Sequence, residues 1–394
     1  MNICFISYGH ISVTRGGIDR VTVTLANSLQ SMGHQITMLS IQNPLDNDKI
    51  ETCQYFFPSQ DAASEKNRRF LKTFIKEHNI DTIIYQSENM ALFKLLVMDD
   101  NKVSIIAAIH TDPLATLKGI RDTWDLWKYK QNLLFFYLKL PYFILRLMYQ
   151  IYNRKKYSGF KYRYFYQHSS ALVLLSEKFK TPFSKLTKIN NTNKLYAIGN
   201  PLSYTADQCQ PISKEKIILF VGRLEFSPKR LDRLVKIWAR IKNKKDWKIQ
   251  VLGDGKDKAF YESICTKYNV HNIEFLGRVD PLPYYQKASI LCITSTHEGF
   301  CMVATEALQN EVIPIAFDSY EAVWDIIQNG HNGYIVKSFS LNEYRNILEK
   351  LINSPQLRNQ IRNNIRIQNM GLHKFNAKQI SNEWHKLIQD VTDL

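Results

Sequence analysis

The chain has 394 residues, of which 45% are apolar and 22% are charged. This composition excludes a largely disordered chain, and the length favours two domains of about 200 residues each. The net charge of +16 is concentrated between residues 101 and 200, where seventeen Lys and Arg accompany four Asp and Glu. Such a field favours a polyanionic partner, either nucleic acid or an anionic membrane surface.

The cysteine spacing and the apolar runs predict where in the cell the protein is located. The six cysteines show no CxxC or metal-like spacing, which predicts reduced thiols in a cytosolic protein. The opening residues MNICFISYGH predict a strand and show no secretion signal. The most apolar stretch, NLLFFYLKLPYFILRLMYQIY, is interrupted by Lys139, Pro141 and Arg146, so no transmembrane helix is predicted. We therefore expect a cytoplasmic protein.

The first half of the chain alternates strand-like and helix-like segments. Strands are predicted at NICFISY, HQITMLSI, DTIIYQ, KVSIIAAIH, ALVLL and KLYAIGNP. Helices are predicted at IDRVTVTLANSLQSMG and RRFLKTFIKEHN. This alternation is typical of a parallel sheet covered by helices.

A polar, turn-rich stretch, SYTADQCQPISKE, interrupts the pattern near residue 202 and predicts a linker. The alternation then restarts with KIILFVG, RLDRLVKIWARIK, WKIQVLG, FYESICTKYN, IEFLG, ASILCIT and VIPIAF. We expect two Rossmann-like, doubly wound α/β domains, 1–202 and 203–394, that face a central cleft. A basic, aromatic helical insertion is expected near 120–168, and the final helix is expected to pack back on the first domain.

In open α/β sheets ligands bind beyond the carboxyl ends of the strands. After the first strand, Gly16 and Gly17 precede a helix whose N-terminus suits an anionic group, although such a pair is also an ordinary turn. The GxGxxG fingerprint is absent. His110 ends the strand KVSIIAAIH. Its imidazole could bond a sugar hydroxyl or transfer a proton, or it could be structural.

Basic residues follow the first strand of the second domain, in VGRLEFSPKR. Arg223 and Lys229 there could neutralise a diphosphate, or they could be solvated surface charges. Two later strands end in glycine-bearing turns, VLGDG and FLGRVD, which could line a base pocket. The candidate donor-binding residues of these loops are Gly222, Arg230, Gly253, Asp254, Arg278 and Val279.

The stretch THEGFCMVATEAL carries two acids, Glu298 and Glu306, on either side of a predicted helix start. Gly299, Phe300 and Cys301 would present free backbone N–H groups to a phosphate. Carboxylates are strong acceptors for vicinal hydroxyls, so the two acids suit a sugar nucleotide.

The order of these motifs along the chain resembles that of the GT-B-fold glycosyltransferases of family 4. The motifs are the glycine pair, the histidine, GRL with its lysine, GDG, FLG and the two glutamates eight positions apart. The resemblance covers nearly the whole chain and is strongest from Ile217 to Val336, including HNGYIV. It implies sugar transfer from a nucleotide donor with retention of anomeric configuration, without metal or cofactor, and with UDP-sugar favoured over GDP-sugar.

The resemblance also implies residue roles. Arg223 and Lys229 would stabilise the leaving diphosphate, and Glu298 would hold the donor sugar. Glu306 would bind the ribose, while Gly17 and His110 would line the reaction centre. Arg230 stands where the family often has glycine, which leaves open whether Lys229 or Arg230 reaches the phosphate.

The acceptor side is predicted from residues 124–168, which are dense in aromatic and basic side chains and contain one acid, Asp125. This pattern predicts a helix at an anionic membrane interface or a buried helical hairpin. The expected partner is a polyprenyl-diphosphate-linked or other lipid-linked saccharide at the inner membrane face, in capsule, O-antigen or similar polysaccharide synthesis. No nucleic acid partner is expected.

Three alternatives stay open. One is a sugar-nucleotide 2-epimerase of the same fold. Another is a catalytically inactive protein that binds membrane or nucleic acid. The third concerns metal: Asp46 and Asp48 in LDNDK form a DxD, the motif of metal-dependent transferases.

Overall fold

The computed structural model describes residues 1–12, 16–42, 54–98, 103–129, 133–209, 212–244, 246–368 and 371–392, with side chains omitted at 128–138, 368 and 371–372. The chain forms two compact units. The amino-terminal unit contains Met1–Pro113, Lys155–Ser203 and Lys374–Leu394, and the carboxyl-terminal unit contains Leu114–Arg154 and Tyr204–His373. Residues 120–168 were predicted to belong to the first domain, whereas the structure groups 114–154 with the second sheet.

The amino-terminal unit is built on a seven-stranded parallel sheet in the order β3-β2-β1-β4-β5-β6-β7. Its strands are β1 Asn2–Ser7, β2 Gln35–Ser40, β3 Gln54–Phe56, β4 Thr82–Tyr85, β5 Ser104–Ala108, β6 Ala171–Leu174 and β7 Leu195–Ala197. In β1 every residue from Ile3 to Ser7 is buried, because helices cover both faces of a doubly wound parallel sheet.

Helices of the first half are α1 Gly17–Ser31, α2 Glu65–Glu77, α3 Met90–Val97, α4 Ala115–Lys118, α5 Ile120–Tyr129, α6 Leu133–His168 and α7 Lys180–Thr187. Buried residues of α1 recur at helical spacing, from Val21 through Leu25 to Leu29. The basic, aromatic segment 133–168 is a single helix of 36 residues that contains Pro141. The buried helical hairpin, which was the alternative to an interfacial helix, is not formed within 133–168.

The carboxyl-terminal unit is built on a six-stranded parallel sheet in the order β10-β9-β8-β11-β12-β13. Its strands are β8 Ile217–Val221, β9 Lys248–Leu252, β10 Ile273–Gly277, β11 Ile290–Ile293, β12 Ile313–Phe317 and β13 Tyr334–Val336. Its helices are α8 Leu231–Ala239, α9 Lys258–Lys267, α10 Leu282–Lys287, α11 Met302–Gln309, α12 Val323–Ile326, α13 Leu341–Asn353 and α14 Pro355–Gln368. The two predicted parallel α/β sheets are confirmed.

Helix α15, Ala377–Thr392, belongs to the amino-terminal unit although it follows the whole carboxyl-terminal sheet in sequence. It packs against α1, and His385 lies 2.8 Å from His34 between Nδ1 and Nε2. The Ser104 hydroxyl donates a 2.9 Å bond to the Val391 carbonyl. The final helix therefore packs within the amino-terminal unit.

Candidate active site

The candidate site of the carboxyl-terminal unit lies at the topological switch point of its sheet. Strand β8 pairs with β9 on one side and with β11 on the other. Loops that leave two such neighbouring strands diverge and open a crevice for a ligand. The loop after β8 carries Arg223 and Lys229, and the loop after β11 carries Glu298. The structure therefore brings the predicted catalytic residues of this unit to the edge where the fold binds ligands.

Lys229 and Glu298 form an ion pair at this edge. Lys229 Nζ lies 2.7 Å from Glu298 Oε1, and the side chains are only 18% and 11% exposed. The Ser295 hydroxyl donates a 2.6 Å hydrogen bond to the same oxygen. Burial alone would lower the pKa of Lys229, but the Glu298 carboxylate outweighs it and raises the pKa above its ordinary value. Lys229 is therefore a fixed positive charge.

Glycines hold the loop after β8 in place. A Cβ on Gly222, whose φ is +154°, would lie 3.0 Å from Lys229 Cε, so the lysine stem passes directly over this backbone. A Cβ on Gly253 would lie 2.0 Å from the Gly222 carbonyl oxygen, and one on Gly255 would lie 2.6 Å from the Leu224 carbonyl oxygen. Close backbone packing thus requires the GDG glycines. The predicted ligand contacts of Gly222, Gly253 and the exposed Asp254 stay predictions.

The two candidate phosphate cations next to Lys229 differ in their surroundings. The Arg223 side chain is 74% exposed, with one carboxylate, that of Glu225, at 3.9 Å. Arg230 is 2% exposed and ion-paired with Asp122 at 2.5 Å, Asp125 at 2.8 Å and Asp232 at 2.8 Å. Because three carboxylates enclose its guanidinium, the expected contact of Arg230 with a donor is not supported. Of Lys229 and Arg230, it is Lys229 that is ion-paired with Glu298.

The helix after β11 begins later than predicted. Helix α11 starts at Met302, so Gly299, Phe300 and Cys301 form the preceding loop. Cys301 adopts a left-handed φ of 70°, and burial raises the pKa of its thiol to about 12.

Glu306 lies inside α11 and is fully buried. Its Oε2 accepts a 3.0 Å hydrogen bond from the Tyr285 hydroxyl, so contact with a ribose would require this carboxylate to become accessible. Arg278 and Val279, which follow β10, are exposed.

In the amino-terminal unit, His110 follows β5 and its Nε2–H donates to Gln86 Oε1. Burial lowers the pKa of His110 to about 4, while the Glu88 carboxylate acts in the opposite direction. The imidazole is therefore neutral near pH 7, and Nδ1 is buried without a hydrogen-bond partner among the described residues. This nitrogen can accept a proton or a hydroxyl hydrogen bond.

A polar cluster around Glu88, in the loop after β4, was not predicted from the sequence. Glu88 accepts hydrogen bonds from Thr111, from Lys161 Nζ at 2.5 Å and from the Tyr162 hydroxyl at 2.8 Å. The polar run QSEN directly after the strand DTIIY was the available signal. Gly16, by contrast, is exposed and extended, and Gly17 is the first residue of α1; residues 13–15 lie outside the described part.

The described residues contain neither a candidate metal-ligand cluster nor a candidate membrane-spanning helix. No cluster of three or more His, Cys, Asp or Glu that could hold a metal occurs among them; Asp46 and Asp48 lie outside them. The five described cysteines are free thiols. No helix in the described ranges has the length and apolar character needed to cross a membrane.

The chain is similar to known glycosyltransferases in sequence and in fold. Residues 206–368 match the family described as glycosyl transferases group 1. Over 95% of its length the chain is 23% identical to an uncharacterized glycosyltransferase of Haemophilus influenzae, covering 96% of that protein.

A Campylobacter jejuni enzyme is 24% identical over 98% of both chains; its name is GalNAc-alpha-(1->4)-GalNAc-alpha-(1->3)-diNAcBac-PP-undecaprenol alpha-1,4-N-acetyl-D-galactosaminyltransferase. Among solved structures, Anabaena HepE in complex with UDP and glucose superposes with a TM-score of 0.74 at 13% identity, over 99% of this chain and 100% of that chain. Residues 206–368 are therefore similar to the group 1 glycosyltransferases, and the chain has the GT-B fold of its structural neighbours.

Proposed function

We propose that the protein is a retaining, metal-independent hexosyltransferase that moves a sugar from a nucleotide donor, with UDP favoured, to a lipid-linked saccharide in surface polysaccharide synthesis. The observation that carries the proposal is the Lys229–Glu298 ion pair at the switch point. A fixed cation beside a carboxylate matches a donor that has a diphosphate next to a sugar with vicinal hydroxyls.

The proposed chemistry breaks the bond between the sugar and the diphosphate. Positive charge develops on the ring and negative charge on the leaving diphosphate. Lys229 meets that negative charge, and the exposed Arg223 can swing onto it; interactions that strengthen as charge develops accelerate the reaction. Glu298 orients the sugar hydroxyls. The incoming hydroxyl attacks from the face of the leaving group, whose phosphate takes the proton, so the anomeric configuration is retained.

The donor and acceptor classes rest on relatives. HepE binds UDP and glucose, and the name of the Campylobacter enzyme specifies an undecaprenyl-diphosphate-linked acceptor. A panel of UDP- and GDP-sugars, assayed with polyprenyl-diphosphate-linked saccharides and with NMR of the product anomer, tests the proposal. Transfer with retention that survives EDTA is expected. Loss of activity in EDTA with recovery in Mg²⁺ would return Asp46 and Asp48 to consideration, and an inverted product would contradict the retaining mechanism.

Two other functions have distinct outcomes in the same assay. Conversion of the UDP-sugar to its epimer without any acceptor would favour the 2-epimerase. A protein that neither transfers nor hydrolyses any donor would fit an inactive binding protein. The Lys229–Glu298 ion pair favours the transferase over the inactive protein.

We also propose that α6 contacts an anionic membrane surface at the inner face of the cell membrane. Nine of the seventeen exposed large hydrophobic side chains of the described residues lie between Tyr142 and Phe160. Arg146, Lys155 and Lys156 on the same segment are exposed. Apolar and basic side chains together suit the headgroup region, where each basic residue adds about 1 kcal/mol.

Replacement of Arg146, Lys155 and Lys156 by Ser should weaken binding to anionic liposomes by roughly a hundredfold or more at low salt. Three positive charges are lost, and each contributes about 1 kcal/mol. Transfer to a short, water-soluble acceptor analogue should be unchanged. Replacement of Lys216, Lys248 and Lys267 by Ser is the matched control for net charge. If the α6 variant bound the liposomes as tightly as wild type, the proposed contact of α6 with the membrane would be wrong.

A further inference from the structure

One carboxylate in the carboxyl-terminal unit contacts both loops that carry the candidate catalytic pair. Asp122 of α5 is 1% exposed. Its Oδ2 accepts a 2.7 Å hydrogen bond from the Ser227 hydroxyl. Its Oδ1 accepts from Arg230 Nη1 at 2.5 Å and from the Thr296 hydroxyl at 2.6 Å. A buried carboxylate with this many donors is held in a single geometry.

These partners of Asp122 lie within two residues of the catalytic pair in sequence. Ser227 and Arg230 flank Lys229 in the loop after β8, and Thr296 precedes Glu298 by two residues in the loop after β11. The loops also touch directly, since the Thr296 amide donates to the Pro228 carbonyl at 2.9 Å. Asp122 therefore joins the two loops through residues that lie close to Lys229 and Glu298 in sequence.

Asp122 differs from the other two carboxylates that form ion pairs with Arg230. Asp125 contacts Arg230 at 2.8 Å but is 27% exposed, and Asp232 occupies the other side of the guanidinium. Loss of Asp125 removes one of three carboxylates from Arg230. Loss of the Asp122 charge also weakens the acceptor for Ser227 and Thr296, and a buried donor without a good acceptor destabilises its loop.

We propose that Asp122 is a positioning residue that holds the Lys229 loop and the Glu298 loop in register for sugar transfer. The inference rests on the proposed function, because it concerns the same site. Asp122 lies outside the matched family segment, residues 206–368, and reaches the site because α5 packs within the carboxyl-terminal unit. A displacement of about 1 Å in a reacting geometry can cost on the order of a hundredfold in rate.

Asp122→Asn should lower kcat by roughly ten- to a hundredfold, with the donor KM within about threefold of wild type. The matched control, Asp125→Asn, removes the same charge and one Arg230 contact, and should stay within about threefold in kcat. The number of UDP sites per protein, measured by calorimetry, should remain that of wild type in both variants. Equal loss in the two variants, or a fall in UDP sites that accounts for the loss of kcat, would overturn the proposal.

A double-mutant cycle separates positioning from general stability. If Asp122 acts through the catalytic pair, Asp122→Asn should cost less than about twofold when Glu298 is already Gln. A loss of the same size in both backgrounds would contradict the proposal. Thr296→Val, which leaves the ion pairs intact, should repeat the effect in milder form, and it serves if Asp122→Asn fails to fold.

A labelling experiment tests the geometry without any activity. Lys229 should react slowly with an amine-acetylating reagent, because it is ion-paired and mostly buried. Asp122→Asn should increase its labelling severalfold, measured by mass spectrometry against Lys216, which is half exposed and paired elsewhere. Unchanged labelling of Lys229 would overturn the positioning role. If wild-type protein transfers no sugar, the proposed function fails, and the labelling result still decides the geometry.

Discussion

The two sheets end in chemically different groups. At the edge of the carboxyl-terminal sheet, Lys229 and Glu298 form a charged pair fixed by Ser295. At the edge of the amino-terminal sheet, His110 is neutral and bonded to the uncharged Gln86. A charged pair suits stabilisation of a leaving diphosphate, and a neutral imidazole suits a hydroxyl. Similar doubly wound sheets can therefore carry different tasks, because the task depends on the loops.

The largest expected effect is that of Lys229→Met. Loss of the fixed charge at a leaving group should lower kcat about a thousandfold, at the upper end for one electrostatic contact. Steady-state kinetics with the preferred UDP-sugar measure it. Lys216→Met, which removes an exposed ion pair with Asp246, is the control. If the Lys229 variant turned over within about twofold of wild type, Lys229 would have no role in the mechanism.

Arg223→Ala should have a smaller effect, about a hundredfold in kcat, because the exposed side chain has to be recruited by the donor. Donor affinity, measured as UDP-sugar binding by calorimetry, should change much less than turnover. An effect on affinity alone would mean that Arg223 binds the ground state and the transition state equally well.

Glu306→Gln and Tyr285→Phe form a matched pair, since each alters the buried hydrogen bond between these residues. Both should reduce the free energy of unfolding, by about 1.5–3 kcal/mol for a hydrogen bond to a charged group. If Glu306 also binds the ribose, the donor KM should rise severalfold for Glu306→Gln and remain near wild type for Tyr285→Phe. The same KM in both variants would leave Glu306 with a structural role only.

The last expected effect concerns the pH dependence of His110, which has no assigned effect on turnover near pH 7. Its folded pKa, about 4, lies below the unfolded value of about 6.5, so the unfolded state takes up more protons as pH falls. The contribution of His110 to stability should therefore be complete above pH 6.5 and decline between pH 6.5 and 4. Unfolding curves of wild type and His110→Asn over this range should show it. An NMR titration midpoint near 6.5 for His110 would contradict a neutral, buried imidazole.

The sequence predicted most strands, because fully buried parallel strands appear as uninterrupted apolar runs such as IPIAF of β12. It missed β3 and β13, which have three residues each. It also missed α3, whose residues MALFKLLV are apolar almost throughout and show no helical period. The strand ends located Lys229 and Glu298 correctly on loops, whereas the ion pairs of Arg230 were hidden because Asp122 lies more than a hundred residues earlier. Contacts so distant in sequence leave no local pattern.

The return of α15 to the amino-terminal unit has a consequence for synthesis of the protein on the ribosome. Strands β1 to β7 are translated first, but the helix that packs on α1 follows the whole carboxyl-terminal sheet. At about 5–20 residues per second, roughly 10–35 s separate β7 from α15. During that interval α1 lacks the helix that packs against it in the folded protein. The nascent amino-terminal unit is thus a candidate client for a chaperone until translation passes residue 392.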